Sequence, residues 1–197
     1  MTTPTSIDRV IATNQIQELC YQYARGADRL DDNCWSSSFW DDGTFNHSES
    51  DKTIAEFSKE LVGIMGQYFE LTHHLNGNVL INFTDNDHAA TETYFQAFHL
   101  TKAGSTREEL AFIIGERRLN ELVHNDGNVY DIIVGGRYLD HVERRDDIWK
   151  IKNRRLIFDY CTVQRSAVLR PGEGMTAMSE ARMSRDNNDP SYFHHLT

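Results

Sequence analysis

The chain has 197 residues, of which 39% are hydrophobic, and its 30 acidic and 20 basic side chains give a net charge of −10. This length and composition predict one soluble globular domain with a sizeable core. The negative charge argues against a nucleic-acid partner, which would require clustered Lys and Arg.

Sequence features that mark location are few. The start, MTTPTSIDRV, has no apolar signal-peptide segment, and no stretch approaches the length of a membrane span. The three cysteines, Cys20, Cys34 and Cys161, are widely spaced and lack the spacing of a metal site. We therefore expect a cytoplasmic protein with reduced core thiols and without a membrane partner.

Helices are predicted in the first third of the chain. Residues 6–30 carry apolar side chains mostly three or four positions apart, with Ser6 as a plausible N-cap. This apolar stripe comprises Val10, Ile16, Leu19, Cys20 and Tyr23. A short helix is predicted within 31–40 and a short strand from DDGTFNH, 41–47. A third helix is predicted over 51–69, with one apolar face.

Strands dominate from residue 71 onward. THHLNGNVLINF (72–83) and AATETYFQAFHL (89–100) flank a polar turn, which predicts a hairpin. Two further strands are predicted over 130–145 and 148–165, joined by a turn at Asp146–Asp147. Helices followed by a strand meander indicate an α+β fold, in which one curved antiparallel sheet wraps around the first helix and leaves a concave cavity.

Two segments are less regular. Residues 105–122 begin with Ser105 and Glu108 at capping-box spacing, which favours a short helix, although the apolar run 112–114 also suits a strand. Periodicity ends after residue 165. We therefore predict a body over 1–165 and a tail over 166–197, packed on the body or on a neighbouring subunit.

Several polar side chains are expected to meet in the cavity. Adjacent strand residues point to opposite faces, so one of His73 and His74 should face inward. A carboxylate beside a buried imidazole fixes its tautomer and raises its basicity, and phenol or guanidinium donors can stabilise an enolate oxygen. The candidate catalytic residues are Tyr23, Asp28, His74, His99 and Arg154.

Structural roles are open for each of these residues. A histidine in a strand is more often a satisfied structural group than a catalyst, and Tyr23 fits the core stripe. Asp28 is close enough to Gly26 to belong to a turn, and Arg154 suits a solvated edge. Adjacent strand histidines cannot both bind one metal ion, and the sequence has no HxH or HExxH pattern, so we expect no metal or other cofactor.

A family resemblance is carried by residues 6–165, above all by IQELCYQYARGADRLDDNCWSSSFWDDGTF, THHLNGNVLINF and GGRYLDHVERRDDIWKIKNRRLIFDY. With these segments the chain resembles the SnoaL-like branch of the nuclear transport factor 2-like superfamily. That superfamily includes scytalone dehydratase, hexachlorocyclohexane dehydrochlorinase and bile-acid 7α-dehydratase. The resemblance implies a cone-shaped α+β barrel with an antiparallel or mixed sheet, whereas the function stays open because one fold hosts many activities.

Individual roles follow from that resemblance. It implies that Asp28 and His74 form a catalytic dyad, so that His74 faces the cavity and His73 does not. Tyr23 and Arg154 match a tyrosine and a last-strand arginine of bile-acid 7α-dehydratase, and His99 stands where scytalone dehydratase has a second histidine. The dehydrochlorinase has lysine where Tyr23 stands, which favours loss of water. The segment QAFHL lacks an acid that the bile-acid enzyme carries nearby, which argues against a steroid substrate.

These expectations combine into a cofactor-independent lyase of dehydratase type. An isomerase or polyketide cyclase with the same dyad, and a non-catalytic binding or assembly subunit, are the alternatives. The ligand is expected to be small, hydrophobic and cyclic because the segments around the cavity are rich in aromatic residues. A homo-oligomer is expected, with a trimer favoured over a dimer by resemblance. The predicted substrate-binding residues are Trp35, Trp40, Phe45, Phe57, Met65 and Phe95.

Overall fold

The computed structural model describes residues 6–46, 51–122, 128–178 and 183–193. The helices are α1 (Ser6–Arg29), α2 (Asp32–Ser37), α3 (Ile54–Tyr68), α4 (Arg107–Ile114) and α5 (Glu116–Glu121). The strands are β1 (Phe39–Asn46), β2 (Asp51–Thr53), β3 (Phe69–Phe83), β4 (His88–Thr101), β5 (Tyr130–Arg145) and β6 (Ile148–Arg165). Two 3₁₀ turns, Gly174–Met178 and Pro190–Tyr192, follow the last strand.

The sheet has six strands in the order β2-β1-β6-β5-β4-β3. β3 to β6 form an antiparallel meander, whereas β1 runs parallel to β6. α1 packs against β3 and β6, and α3 packs against β1 and β3. The predicted α+β fold and the predicted hairpin are thereby confirmed. The short strand β2 was not predicted, and β1 begins at Phe39 rather than in the DDGTFNH segment.

The long first helix is anchored by its second half. Ile16, Leu19, Cys20 and Tyr23 are all buried, as the apolar stripe predicts. Val10 was predicted on the same stripe but is 69% exposed. Its neighbours Ile7 and Ile11 are exposed as well, so the first turns of α1 lie outside the core that the rest of the helix covers.

The segment between β4 and β5 is helical. A capping box joins Thr106 to Glu109, one residue later than the predicted pair, and α4 follows it. Gly115, with φ of +87°, separates α4 from α5 in a conformation that favours glycine. Leu110 and Leu119 pack with Tyr130 in a small cluster apart from the main core.

Two features shape the last two strands. The turn residues Asp146 and Asp147 have φ of +49° and +63°, the left-handed pair that a tight hairpin turn requires. The pairing of β5 with β6 shifts register between Gly135 and Gly136, where Asp159 of β6 is the extra residue. A side chain at Gly135 would collide with the ring of Tyr160, so glycine permits the close approach of that ring to β5.

The cysteines differ in their environments. Cys20 is buried, Cys34 is half-buried and Cys161 is exposed, and all three are free. The expectation of three core thiols is therefore correct only for Cys20. Cys161 is exposed because it lies on the part of β6 that extends past the main core. Within the described ranges, no helix is both long enough and apolar enough to span a membrane.

Candidate functional site

A cavity of about 550 Å³ lies between α1, α3 and the concave face of the sheet. That volume is within the range of small-molecule sites in proteins. Its wall is mostly aliphatic and aromatic, with His74, His99, Tyr23 and Tyr138 among its polar members. The apolar wall includes Phe45, Phe57, Leu61, Ile64, Met65, Phe69, Phe95, Ile132, Val134 and Leu156.

Four of the six predicted binding residues line this cavity, namely Phe45, Phe57, Met65 and Phe95. Trp35 is buried in the core behind the wall, with its ring 5.4 Å from that of Tyr23. Its indole fills the space between α1, α3 and β1. The structure thus places Trp35 one layer behind the cavity rather than on its surface.

Trp40 lies on the other face of β1. Its indole N–H donates to the Glu143 carbonyl at 3.1 Å, and the cationic groups of Arg145 and Lys150 lie over its ring. Because β1 begins at Phe39 with that side chain buried, strand alternation turns Trp40 outward. The earlier start of β1 therefore explains why the structure separates Trp40 from the cavity.

The structure joins Asp28, near the C-terminal end of α1, to His74 on β3. Nδ1 of His74 lies 2.7 Å from Oδ1 of Asp28, and the backbone N–H of His74 donates to Oδ2 at 2.9 Å. The Thr72 hydroxyl donates to Oδ1 at 2.9 Å. The aspartate therefore receives three hydrogen bonds, while the neighbouring His73 is exposed, as alternation along β3 requires.

These contacts set the charge of Asp28. Burial raises the pKa of its carboxyl, but the hydrogen bonds from His74 and Thr72 outweigh burial and hold the pKa below its usual value. An ionised aspartate accepts hydrogen bonds only, so Nδ1 of His74 carries the proton between them. Since Asp28 engages Nδ1, Nε2 is the ring nitrogen that remains, and the His74 side chain lines the cavity.

His99 lies beside the dyad on β4. Its ring centroid is 5.6 Å from that of His74 and 4.9 Å from that of Phe69. Burial lowers its pKa to about 3, assisted by the charge of His74 and opposed by Asp28 and a hydrogen bond to the Ile132 backbone. His99 is therefore neutral near pH 7. Its Nδ1 is buried and has no hydrogen-bond partner among the described residues, and the His99 side chain lines the cavity.

Arg154 is fully buried behind the wall rather than in it. Its Nε and Nη2 donate to the two carboxylate oxygens of Asp140 at 2.8 and 2.7 Å. Its guanidinium carbon lies 4.3 Å from the ring centre of Tyr23 and 4.2 Å from that of Tyr138. Burial lowers the pKa of Arg154, but Asp140 raises it more, so the arginine stays charged and touches the cavity only through the two tyrosines.

Three residues of this arrangement were not predicted: Thr72, Tyr138 and Asp140. Thr72 lies two positions before His74, and Asp140 lies two positions after Tyr138. Residues two apart on a strand share a face, so strand periodicity carried a signal for all three. Burial raises the pKa of both Tyr23 and Tyr138, which keeps these phenols neutral as hydrogen-bond donors.

The charged residues of the cavity wall are Glu60 and Asp159, and no Lys or Arg stands beside them among the lining residues that the structure describes. Asp159 is itself paired with Arg137. Across the described chain, no three His, Cys, Asp or Glu side chains converge in a way that could hold a metal ion. The wall thus offers phenols, imidazoles and apolar surface to a ligand.

Comparisons with known proteins agree with this architecture. The family model for the SnoaL-like domain matches residues 8–155, so the chain belongs to that family. The predicted relationship to the SnoaL-like family is confirmed. No curated protein matches this sequence.

Three solved structures share the fold. A protein from Novosphingobium aromaticivorans DSM 12444, provisionally named a scytalone dehydratase, is 21% identical with a TM-score of 0.62, over 80% of this chain and 91% of that one. Hexachlorocyclohexane dehydrochlorinase LinA-type3 from Novosphingobium barchaimii LL02 is 18% identical with a TM-score of 0.63, over 84% and 97%. A protein from Kribbella flavida is 20% identical with a TM-score of 0.59, over 81% and 95%.

Proposed function

We propose that this protein is a cofactor-independent lyase that removes water from a small, uncharged, cyclic hydroxy-carbonyl compound. The observation that carries this proposal is the 2.7 Å hydrogen bond between Asp28 and Nδ1 of His74 at the wall of an apolar cavity. Membership of the SnoaL-like family, and fold neighbours whose names include a dehydratase and a dehydrochlorinase, support it.

The first step is removal of a proton next to the carbonyl, or vinylogous to it. Nε2 of His74 takes the proton, and the C–H electron pair moves into the enolate. Asp28, which is ionised and already bonded to Nδ1, stabilises the imidazolium that results. A positioned base of this kind contributes roughly 10²- to 10⁴-fold to the rate.

The enolate oxygen requires hydrogen-bond donors. We assign this role to the neutral phenols of Tyr23 and Tyr138, which both line the cavity. Arg154 does not reach the ligand in this proposal. Its cation lies against both rings and favours negative charge that develops at their hydroxyl groups. Arg154 is thus a positioning residue, with Asp140 holding it in place.

The second step breaks the C–O bond. The enolate electron pair forms the C=C bond as the hydroxyl leaves, and the imidazolium of His74 returns its proton to give water. His99 is neutral because its pKa is about 3, so it does not supply that proton. Its unpartnered Nδ1 instead accepts a hydrogen bond from the substrate hydroxyl and orients it. Atoms and charges balance, and the enzyme returns to its starting state.

The wall also restricts the charge of the ligand. With Glu60 and Asp159 as its charged members among the described residues, the cavity favours uncharged over anionic compounds. Carboxylates and other acids would lack a cationic partner there. The apolar volume of about 550 Å³ fits a compound with one or two rings.

The test is a mass-spectrometric screen of uncharged cyclic hydroxy-carbonyl compounds for products that have lost one water. Asp28→Asn and His74→Ala should each lower kcat by at least 10²-fold because they disable the base. His73→Ala is the matched control, since this neighbour is exposed, and it should retain wild-type turnover.

Other outcomes separate the alternatives. A product of unchanged mass, formed only when the dyad is intact, would identify an isomerase or cyclase instead. Tight binding without turnover, equal in wild type and His74→Ala, would identify a carrier. The predicted homo-oligomer stays a prediction, which the molar mass in solution would test.

A further inference from the structure

The segment 183–193 returns to the end of α1 and is held there by side chains. The Tyr192 hydroxyl donates to Asp31 at 2.6 Å, and Arg25 lies over the Tyr192 ring. Asp189 is buried, pairs with Arg29, and accepts from the backbone N–H groups of Ser184 and Ser191. These contacts form a closed turn that presents Arg185 toward the dyad.

Arg185 has five N–H groups, and each of them has an acceptor. Nε donates to the Asp28 carbonyl at 3.1 Å, and Nη2 donates to the Ala27 carbonyl at 3.2 Å. Nη1 donates to the carbonyls of Met65 and Phe69, both at 2.8 Å. The guanidinium therefore caps the C-terminal ends of both α1 and α3, where backbone carbonyls lack helical partners and a cation is favoured.

The fifth contact reaches the candidate catalytic pair. Nη2 of Arg185 also donates to Oγ1 of Thr72 at 3.1 Å. Because arginine only donates, Thr72 must accept this bond and direct its own proton elsewhere. That proton goes to Oδ1 of Asp28 at 2.9 Å, the same oxygen that receives Nδ1 of His74. A chain of directed hydrogen bonds thus runs from Arg185 through Thr72 and Asp28 to His74.

Arg185 differs in its partners from Arg137, Arg145 and Arg154, each of which pairs with a carboxylate. All five contacts of Arg185 are to backbone carbonyls and one hydroxyl. Its charge is therefore not neutralised by a direct partner, and burial lowers its pKa to about 10 while the nearby Asp28 opposes that change.

We propose that Arg185 is a positioning residue of the active site, which orients the Thr72 hydroxyl and the end of α1 so that Asp28 holds His74 in one tautomer. This inference rests on the proposed function for its catalytic meaning. The hydrogen bonds that run from Arg185 through Thr72 and Asp28 to His74 can be tested without any substrate.

The test is the imidazole ¹⁵N spectrum of the full-length, ¹⁵N-labelled protein in mildly alkaline buffer, with the His74 signals assigned by comparison with His74→Gln. Wild type should show a single tautomer with the proton on Nδ1. Arg185→Met should move both nitrogen shifts toward the averaged values of a free imidazole. Thr72→Val should produce the same change, because it removes the hydroxyl through which Arg185 acts.

The double variant distinguishes a directed chain from general loosening. If Arg185 acts through Thr72, Arg185→Met combined with Thr72→Val should shift the His74 nitrogens no further than Thr72→Val alone. Tyr192→Phe is the matched control, since it loosens the same tail without touching Thr72. It should leave the His74 signals unchanged.

Two results would overturn the inference: a wild-type His74 pattern in Arg185→Met, or shifts in Tyr192→Phe as large as those in Arg185→Met. If Arg185→Met does not fold, Arg185→Lys replaces it in the same comparisons, because lysine keeps the charge and loses the planar fork. A screen without turnover, together with an intact ¹⁵N result, would reject the lyase proposal and leave the positioning role standing.

Discussion

Two buried pairs, each formed by an aspartate and a basic side chain, differ in their access to the cavity. Asp28–His74 and Asp140–Arg154 are both almost fully enclosed and both joined at 2.7 Å. His74 lines the cavity and keeps one ring nitrogen for a ligand, whereas Arg154 lies behind Tyr23 and Tyr138. Similar burial thus places a titratable ring at the cavity wall in one pair and encloses a permanent charge behind that wall in the other.

The chemistry of the two side chains matches these positions. Histidine changes its charge near neutral pH, so a buried imidazole with one accessible ring nitrogen can accept or donate a proton. Arginine stays charged, so an enclosed guanidinium can supply only a constant field and a rigid support. Variants that damage one pair and spare the other should therefore separate loss of chemistry from loss of stability.

The largest effect on stability is expected at the enclosed pair. Asp140→Asn leaves the Arg154 charge buried without its counter-ion, which should lower the free energy of unfolding by about 3–5 kcal/mol. Urea denaturation followed by circular dichroism measures this loss. Asp42→Asn is the control, since Asp42 pairs with Arg145 on the surface and its loss should cost far less. Equal losses of unfolding free energy in the two variants would contradict the view that Asp140 compensates a buried charge.

A smaller effect concerns pH and the neutral histidine beside the dyad. An unfolded histidine gains a proton near pH 6.5, whereas folded His99 does so only at about pH 3. Between these values the unfolded state holds one more proton, so stability falls as pH falls, by about 1.4 kcal/mol per pH unit from this group. His99→Gln should remove that part of the slope.

Denaturation series across this pH window measure the slope. His73→Gln serves as the reference, because this side chain is exposed on the same hairpin and should leave the slope of wild type in place. An unchanged slope in His99→Gln would mean that His99 is protonated in the folded protein. It would then be available as an acid for the leaving hydroxide.

The smallest effect is expected at Trp40. Its indole lies outside the cavity, bonded to the Glu143 carbonyl, so Trp40→Phe should leave the affinity for a bound ligand unchanged. Phe57→Ala, on the cavity wall, should weaken it, because the ligand loses apolar contact there. Isothermal titration with a compound from the screen compares the two. Weaker binding by Trp40→Phe would mean that Trp40 contacts the ligand after all.

Local patterns in the sequence were sufficient for much of this molecule. Apolar spacing located α1 and α3, and alternation along β3 required one of His73 and His74 to face inward. The family resemblance selected His74, which the structure places inward. The same alternation would have found Thr72 and Asp140, which were overlooked. Trp40 was misplaced because it was assigned to the predicted helix within 31–40, whereas β1 already begins at Phe39 and alternation along that strand turns Trp40 away from the buried face.

Other features depend on contacts between distant parts of the chain. Asp140 and Arg154 meet because β5 and β6 pair in one particular register. Arg185 lies in a segment without periodicity and contacts the ends of two helices that are more than a hundred positions away in sequence. Local sequence patterns cannot predict contacts over such a separation. The contacts of an irregular segment depend on the folded body that it meets. The sequence therefore offered only the expectation that the tail packs on the body or on a neighbouring subunit.

The contacts of segment 183–193 with α1 also affect which part of the chain could be exchanged with a relative as one unit. The family match ends at residue 155, before the end of β6 and before the segment that carries Arg185. A chimera that exchanges residues 8–155 between relatives would transfer Asp28 and His74 but not Arg185. Chimeras whose crossover lies beyond Tyr192 would carry all three together, so in this chain the segment that the family model matches does not include every residue that contacts Asp28.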